Sequence, residues 1–246
     1  MRLAVIVLVM IGVLQGGTVR IALAANVSYA MPSLKAAFAK HHPDTHIQIT
    51  VSGSGKLATQ IRNGAPYDLF LSANMAYPQA LFEAGLSAKK PVVYAQGALA
   101  YLSNTPRDFS KGIKLLLSPA IHTIAVANPK TAPYGKAAFE ALEKAGLLTR
   151  LRPKLVFGES IAQTVAYATH AADIGLVAKS ALFAPQMRHY NQGTYWIDVE
   201  ALYSPIDQGM ILLSSSTNKP EAKAFYNFLL SQKARDIFTE FGYRVP

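Results

Sequence analysis

The feature that most constrains this chain is a repeated alternation of an apolar strand-like run, a short loop of small or hydroxyl residues, and a helical pattern. VRIALAA (19–25) reads as a first strand, the apolar spacing over 33–40 as a helix, and HIQITVS (46–52) as a second strand. Residues 57–63 carry a short helical pattern closed by Gly64, and 68–72 a third strand. The pattern restarts with HTIAVANP (122–129), a helix over 135–146, KLVFGES (154–160), a helix over 161–171 and DIGLVA (173–178). Such alternation predicts an α/β architecture in which each sheet is mixed, mostly parallel and flanked by helices. Two stretches of it predict two lobes. YAQGALAYLS (94–103) and YSPIDQGMILLS (203–214) are extended and are the expected crossings, and the periodic run over 220–241 is expected to pack on the first lobe. The resulting division is lobe 1, residues 18–94 with 206–246, and lobe 2, residues 95–205.

In sheets of this kind ligands lie beyond the carboxyl ends of the strands, where the loops enter the helices. Four junctions there share one composition: residues 25–28 (ANVS), 52–55 (SGSG), 127–135 (ANPKTAPYG) and 158–161 (GESI). Each places small or hydroxyl residues at a helix start, where unpaired N–H groups point outward and attract anions. If two lobes face each other, two junctions from each converge on one enclosed anion. A nucleotide loop is excluded at SGSGKL (52–57). Counting back from Gly55-Lys56 puts Thr50 where the first glycine of G-x-x-x-x-G-K-[ST] belongs, and Leu57 replaces the metal-binding hydroxyl.

Charge and composition narrow the classes further. The formal net charge is +10, but the basic residues are scattered, with no basic helix or aromatic-interleaved stripe for nucleic acid. There are no cysteines, which removes disulfides, thiolate chemistry and cysteine metal sites. Met1-Arg2 followed by LAVIVLVMIGVL (3–14) reads as a signal peptide over 1–17, cleaved near Gly16-Gly17, with an uncleaved anchor as the alternative. No G-x-S-x-G or H-E-x-x-H motif is present, so an enzyme is not expected. Of the fourteen acids only Glu159 and Asp68 stand near the strand ends, and Asp68 reads as structural, supporting a loop beside the site. HHPDTH (41–46) gathers three imidazoles, but Pro43 keeps them off one helix face, and a solvated turn is expected rather than a cation site.

The segments ANVSYAMPSLKAAF, SGSGKLATQIRNGAPYDLFLSAN, IAVANPKTAPYGKAAFEALEKAGL, GESIAQTVAYATHAADIGLVAKSAL and FYNFLLSQKARDIFTEFGY follow one another in this order. Together they resemble the periplasmic molybdate-binding proteins of ABC importers, over nearly the whole mature chain. The resemblance implies a type II periplasmic-binding-protein fold that closes by hinge motion over molybdate or tungstate. It also implies a periplasmic monomer, delivery to an ABC permease complex at the inner membrane, and no cofactor.

Position by position, the resemblance puts Asn26 where many members have a ligand serine, and Ser54 at a ligand hydroxyl. Tyr134 and Ile161 stand where members contribute backbone N–H groups. Ala25 and Ser28 are lesser candidates, and Ala178 occupies a place where some members add a tyrosine. Each assignment has a plainer rival: Asn26 as a helix cap, Ser54 as a cap, and residues 133–135 as a turn before a helix. A site without Lys or Arg fits the physics, because a fully deprotonated oxyanion wants donors only and buried N–H and O–H dipoles replace its water shell. Size then separates molybdate and tungstate from smaller sulfate. A protein of the same fold for sulfate, phosphate or a small carboxylate is the alternative.

Overall fold

The computed structural model describes residues 17–87 and 89–246. The expected signal peptide therefore lies outside the described residues but for Gly17. Among the described residues no helix is long and apolar enough to cross a membrane.

The first stretch of chain forms β1 (Thr18–Ala24), α1 (Met31–Ala39), β2 (His46–Ser52), α2 (Ser54–Arg62), β3 (Leu69–Leu71), α3 (Ala76–Glu83) and β4 (Val92–Gly97). The second forms β5 (Leu99–Leu102), β6 (Ile124–Ala127), α4 (Pro133–Lys144), α5 (Leu148–Leu151), β7 (Leu155–Gly158), α6 (Ile161–His170), β8 (Ile174–Ala178) and β9 (Trp196–Asp198). The chain then returns through β10 (Ile206–Leu212) to α7 (Pro220–Leu229) and α8 (Gln232–Glu240).

Two five-stranded sheets result, ordered β2-β1-β3-β10-β4 and β7-β6-β8-β5-β9. In each, the first three strands are parallel, and the fourth runs antiparallel to both neighbours. The antiparallel strands are the ones that follow the crossings: β5 leaves the first sheet after Ala98 alone, and β10 re-enters it after residues 199–205. The first sheet keeps β4 through Gly97, paired with Ile206.

Burial explains why the strands read as they do. In β1, Val19, Ile21 and Leu23 face a core built with α1, α7 and α8, while Ala22 faces α2 and α3 with Leu57, Phe70 and Ile211. A central strand covered on both faces carries apolar residues at nearly every position. The second sheet is likewise covered on both faces, by α4 against Ile124 and Val126 and by α6 against Ala100 and Val177. Gly64, at φ +83, ends α2 in the left-handed turn expected of it.

The C-terminal run differs from the single helical stretch of the sequence reading. It packs on the first sheet, but breaks at Leu230, and Ser231 restarts it by accepting the Ala234 N–H on its hydroxyl at 3.4 Å. α2 and α4 also begin earlier than the apolar spacing indicates, at Ser54 and Pro133, which places those residues inside the first helical turns.

Candidate functional site

All four junctions meet. β1 turns at Ala25 into a single 3-10 turn, β2 enters α2 through Gly53, β6 enters α4 through residues 128–132, and β7 enters α6 through Glu159 and Ser160. They close around a cavity of about 10 Å³ whose wall includes Ala25, Asn26, Ser54, Ala73, Tyr134 and Ile161. Among the described residues no Asp, Glu, Lys or Arg side chain lines it. Larger hollows lie elsewhere. One of about 460 Å³ sits by Arg20, Tyr67 and Asp68 at the opposite end of the first sheet, open to solvent.

Ser54 is 1% exposed. Its Oγ accepts the N–H of Ala73 at 3.0 Å, which leaves the hydroxyl proton free to donate. Tyr134 and Ile161 stand at the second and first positions of their helices, so neither N–H has a partner within its helix. Among the described residues neither has another backbone acceptor. The N–H of Asn26, in the first turn after β1, has none either. Ala25 contributes wall rather than a side-chain donor. Ser54, Tyr134, Ile161 and Asn26 all line one small cavity between the sheets.

The side chain of Asn26 does something other than the sequence suggests. It caps no helix, and its amide is not free for a ligand. Nδ2 donates to Gln208 Oε1 at 2.8 Å and to Tyr243 Oη at 2.9 Å, with Tyr134 Oη at 3.5 Å. Gln208 is held in that sense because its own Nε2 donates to the Ile206 carbonyl at 2.8 Å. The Asn26 carbonyl accepts from Tyr243 Oη at 2.9 Å and from Ser180 Oγ, in the other lobe, at 3.0 Å. Asn26 Oδ1 is buried without a partner among the described residues. Asn26 is thus the hub of a buried network under the cavity: its amide N–H groups are committed, while its backbone N–H has no backbone acceptor among the described residues.

Ser28 is not brought to the cavity. Its hydroxyl donates to the Ala25 carbonyl at 2.7 Å, and it lines a separate hollow with Met31 and Lys35. Ala178 pairs with Leu99 in the second sheet and adds no hydroxyl. Asp68 is structural, but not beside the site: it precedes β3 at the end of the sheet away from the cavity. There it accepts from Arg20 N, Ser216 Oγ and Lys219 Nζ.

Burial raises the Tyr134 and Tyr94 hydroxyls well above their ordinary range, and their tyrosine neighbours push in the same direction. Burial raises Tyr243 too. All three stay neutral O–H donors at any working pH. The sequence reading missed Gln208, Tyr243, Ser180 and Ala73. One signal was legible: Gln208 is a lone amide in the mostly apolar run of β10, IDQGMIL. Nothing local to FGY (241–243) announces that Tyr243 reaches Asn26.

Two facing α/β lobes joined by crossing strands, with converging donors enclosed between them, define the class of two-lobed solute-binding proteins. The sequence matches the bacterial extracellular solute-binding protein family over residues 19–244, and the chain belongs to that family. It is 35% identical to the molybdate-binding protein ModA of Rhodobacter capsulatus over 92% of this chain and 88% of that one. It is 36% identical to the molybdate-binding protein ModA of Azotobacter vinelandii over 93% and 90%. The solved periplasmic molybdate-binding protein of Azotobacter vinelandii superposes with a TM-score of 0.84 and 29% identity, covering 93% of this chain and 99% of that one. The family is one of solute-binding proteins, not enzymes.

Proposed function

We propose that this protein captures molybdate, and tungstate, between its lobes in the periplasm and delivers it as a monomer to an ABC permease complex at the inner membrane. The observation that carries the reading is a small cavity with no charged side chain among its described lining residues, at which one hydroxyl and N–H groups without backbone acceptors come together from both lobes. The Ser54 hydroxyl and the N–H groups of Asn26, Tyr134 and Ile161 bind the oxyanion, and Ala25 shapes the wall. The named function of the relatives at 35% and 36% identity supports molybdate as the anion.

Desolvating a dianion is expensive unless every oxygen finds a donor, and preorganised dipoles in a closed site supply them without reorganisation. An anion that bonds to both lobes binds the closed form better than the open one and shifts the population toward it. Phosphate, which carries a proton at neutral pH, finds no carboxylate on the wall to accept it.

Calorimetric titration of the ligand-stripped protein with molybdate, tungstate, sulfate and phosphate tests the reading. Tight one-to-one binding of the first two with little heat from the others is expected. Binding of sulfate or phosphate in preference to molybdate overturns the choice of anion, and silence with all four from a folded protein overturns the site.

A further inference from the structure

Residues 53–56 do more than offer Ser54 to the cavity. Three residues of this segment, Gly53, Gly55 and Lys56, also reach lobe 2. Gly53 packs against the other lobe so closely that an added Cβ would lie 3.2 Å from the Glu159 carbonyl oxygen. Gly55 donates its N–H to the Thr131 carbonyl at 3.1 Å, and a Cβ there would lie 2.8 Å from the Tyr77 hydroxyl and 3.1 Å from that same carbonyl. Lys56 Nζ pairs with Glu159 Oε2 at 2.7 Å across the rim, both side chains about half exposed. The Lys56 ammonium and its hydrogen bond hold the Glu159 carboxyl below the usual carboxylate range. Bare backbone at 53 and 55 lets the lobes touch. A charge pair at 56 and 159 then ties the rim.

We infer that residues 53–56 are the clasp of the cleft, with Lys56 as its positioning residue, so that contacts between the lobes, which never touch the anion, set how fast a captured anion escapes. The inference rests on the oxyanion reading for its ligand but not for its geometry. By the arithmetic of a two-state closure, any contact made only in the closed form raises affinity by favouring that form, whatever the cavity holds. A half-exposed ion pair is screened by salt, so its share of the closure fades as ionic strength rises.

The test uses Lys56→Glu, Glu159→Lys, the double exchange of both, and Gly55→Ala. Molybdate release is followed by stopped-flow chase of tyrosine and tryptophan fluorescence at low and high salt. Lys56→Glu, which faces Glu159 with a like charge, is expected to speed release about three- to tenfold at low salt and less at high salt. The double exchange should return the rate to within about twofold of the parent, as a pair restored in reverse. Gly55→Ala should speed release about tenfold, because its Cβ would meet both the Tyr77 hydroxyl and the Thr131 carbonyl of the other lobe.

Closure is read separately from binding. Because the chain has no cysteines, Arg62→Cys with Lys130→Cys, one exposed site on each lobe, takes a clean pair of spin labels. In the ligand-free protein, Lys56→Glu should lengthen the interlobe distance and the double exchange should restore it. This arm stands even if no oxyanion binds, so failure of the anion reading and failure of the clasp are told apart. Unchanged distances together with parental release rates in Lys56→Glu and Gly55→Ala overturn the inference.

Discussion

The two lobes repeat one plan in different materials. Both sheets share an order, β2-β1-β3-β10-β4 against β7-β6-β8-β5-β9, with the antiparallel strand in the same place. In each, the third parallel strand is entered through an aspartate whose carboxylate accepts N–H groups from the start of the central strand. Asp68 takes Arg20 N, and Asp173 takes His122 N and Thr123 N. At the other end of the sheets the lobes diverge. Lobe 1 brings side chains to the cavity region: the Ser54 hydroxyl and the Asn26 hub beneath it. Lobe 2 brings Tyr134 and Ile161 to the cavity wall, at helix starts where their N–H groups have no partner within the helix. On the proposed reading, the difference teaches that lobe 1 depends more on residue identity and lobe 2 on backbone geometry, which many side chains can satisfy.

The most severe way to break the comparison is at the hub. Asn26→Ala leaves Gln208 Oε1 without its donor and removes the donor to Tyr243 Oη, all in a buried setting. Unsatisfied buried groups of this kind are expected to lower unfolding free energy by about 2–4 kcal/mol, read from urea melts. Next in size is Ser54→Ala, which deletes a side-chain donor and should weaken molybdate binding by about 1–3 kcal/mol in calorimetry. It also strips the Ala73 N–H of its acceptor, so a smaller loss of stability accompanies it.

Lobe 2 calls for a different probe. Ile161 is the first residue of α6, after Ser160 in an extended conformation at φ −144 and ψ 164. Proline is tolerated at such a position; it removes the N–H and also replaces a side chain that is 4% exposed in the lobe core, which a valine variant controls for. Ile161→Pro should therefore weaken binding by about 1–2 kcal/mol while α6 still forms, as circular dichroism would show. Ile161→Val, which keeps the N–H, should change binding by less than about 0.5 kcal/mol. If Val weakened binding as much as Pro, the backbone account of lobe 2 would fail.

The smallest effect tests the shared aspartates. Burial pushes Asp68 up, but Lys219, Ser216 and the Arg20 N–H together hold it below its ordinary value. Asp173 is likewise pushed up by burial and pulled below by Thr123, His122 and Arg107. A carboxyl depressed in the folded state contributes stability above its unfolded value, and that contribution disappears as pH falls through the folded one. Unfolding free energy should thus hold steady from neutral pH to about 4 and decline below it. Asp68→Asn should flatten the acid slope while being less stable at pH 7.

The alternation of elements, the four junctions, the glycine stop at Gly64 and the absence of catalytic motifs were all legible in the sequence. They depend on neighbours a few residues away, which determine strand period, helix starts and left-handed turns. The break at Ser231, the commitment of the Asn26 amide, the turning away of Ser28 and the placing of Asp68 far from the cavity were not. Asn26 meets Tyr134, Gln208 and Tyr243 across separations of 108, 182 and 217 residues, and Ser180 reaches it across 154. Pairings at such range depend on how two sheets are closed against each other, and no local pattern encodes that angle. The sequence by itself determined which groups could serve as donors. Only the tertiary structure decided which of them were already spent on one another, because a buried donor bonds whatever acceptor the fold brings within reach.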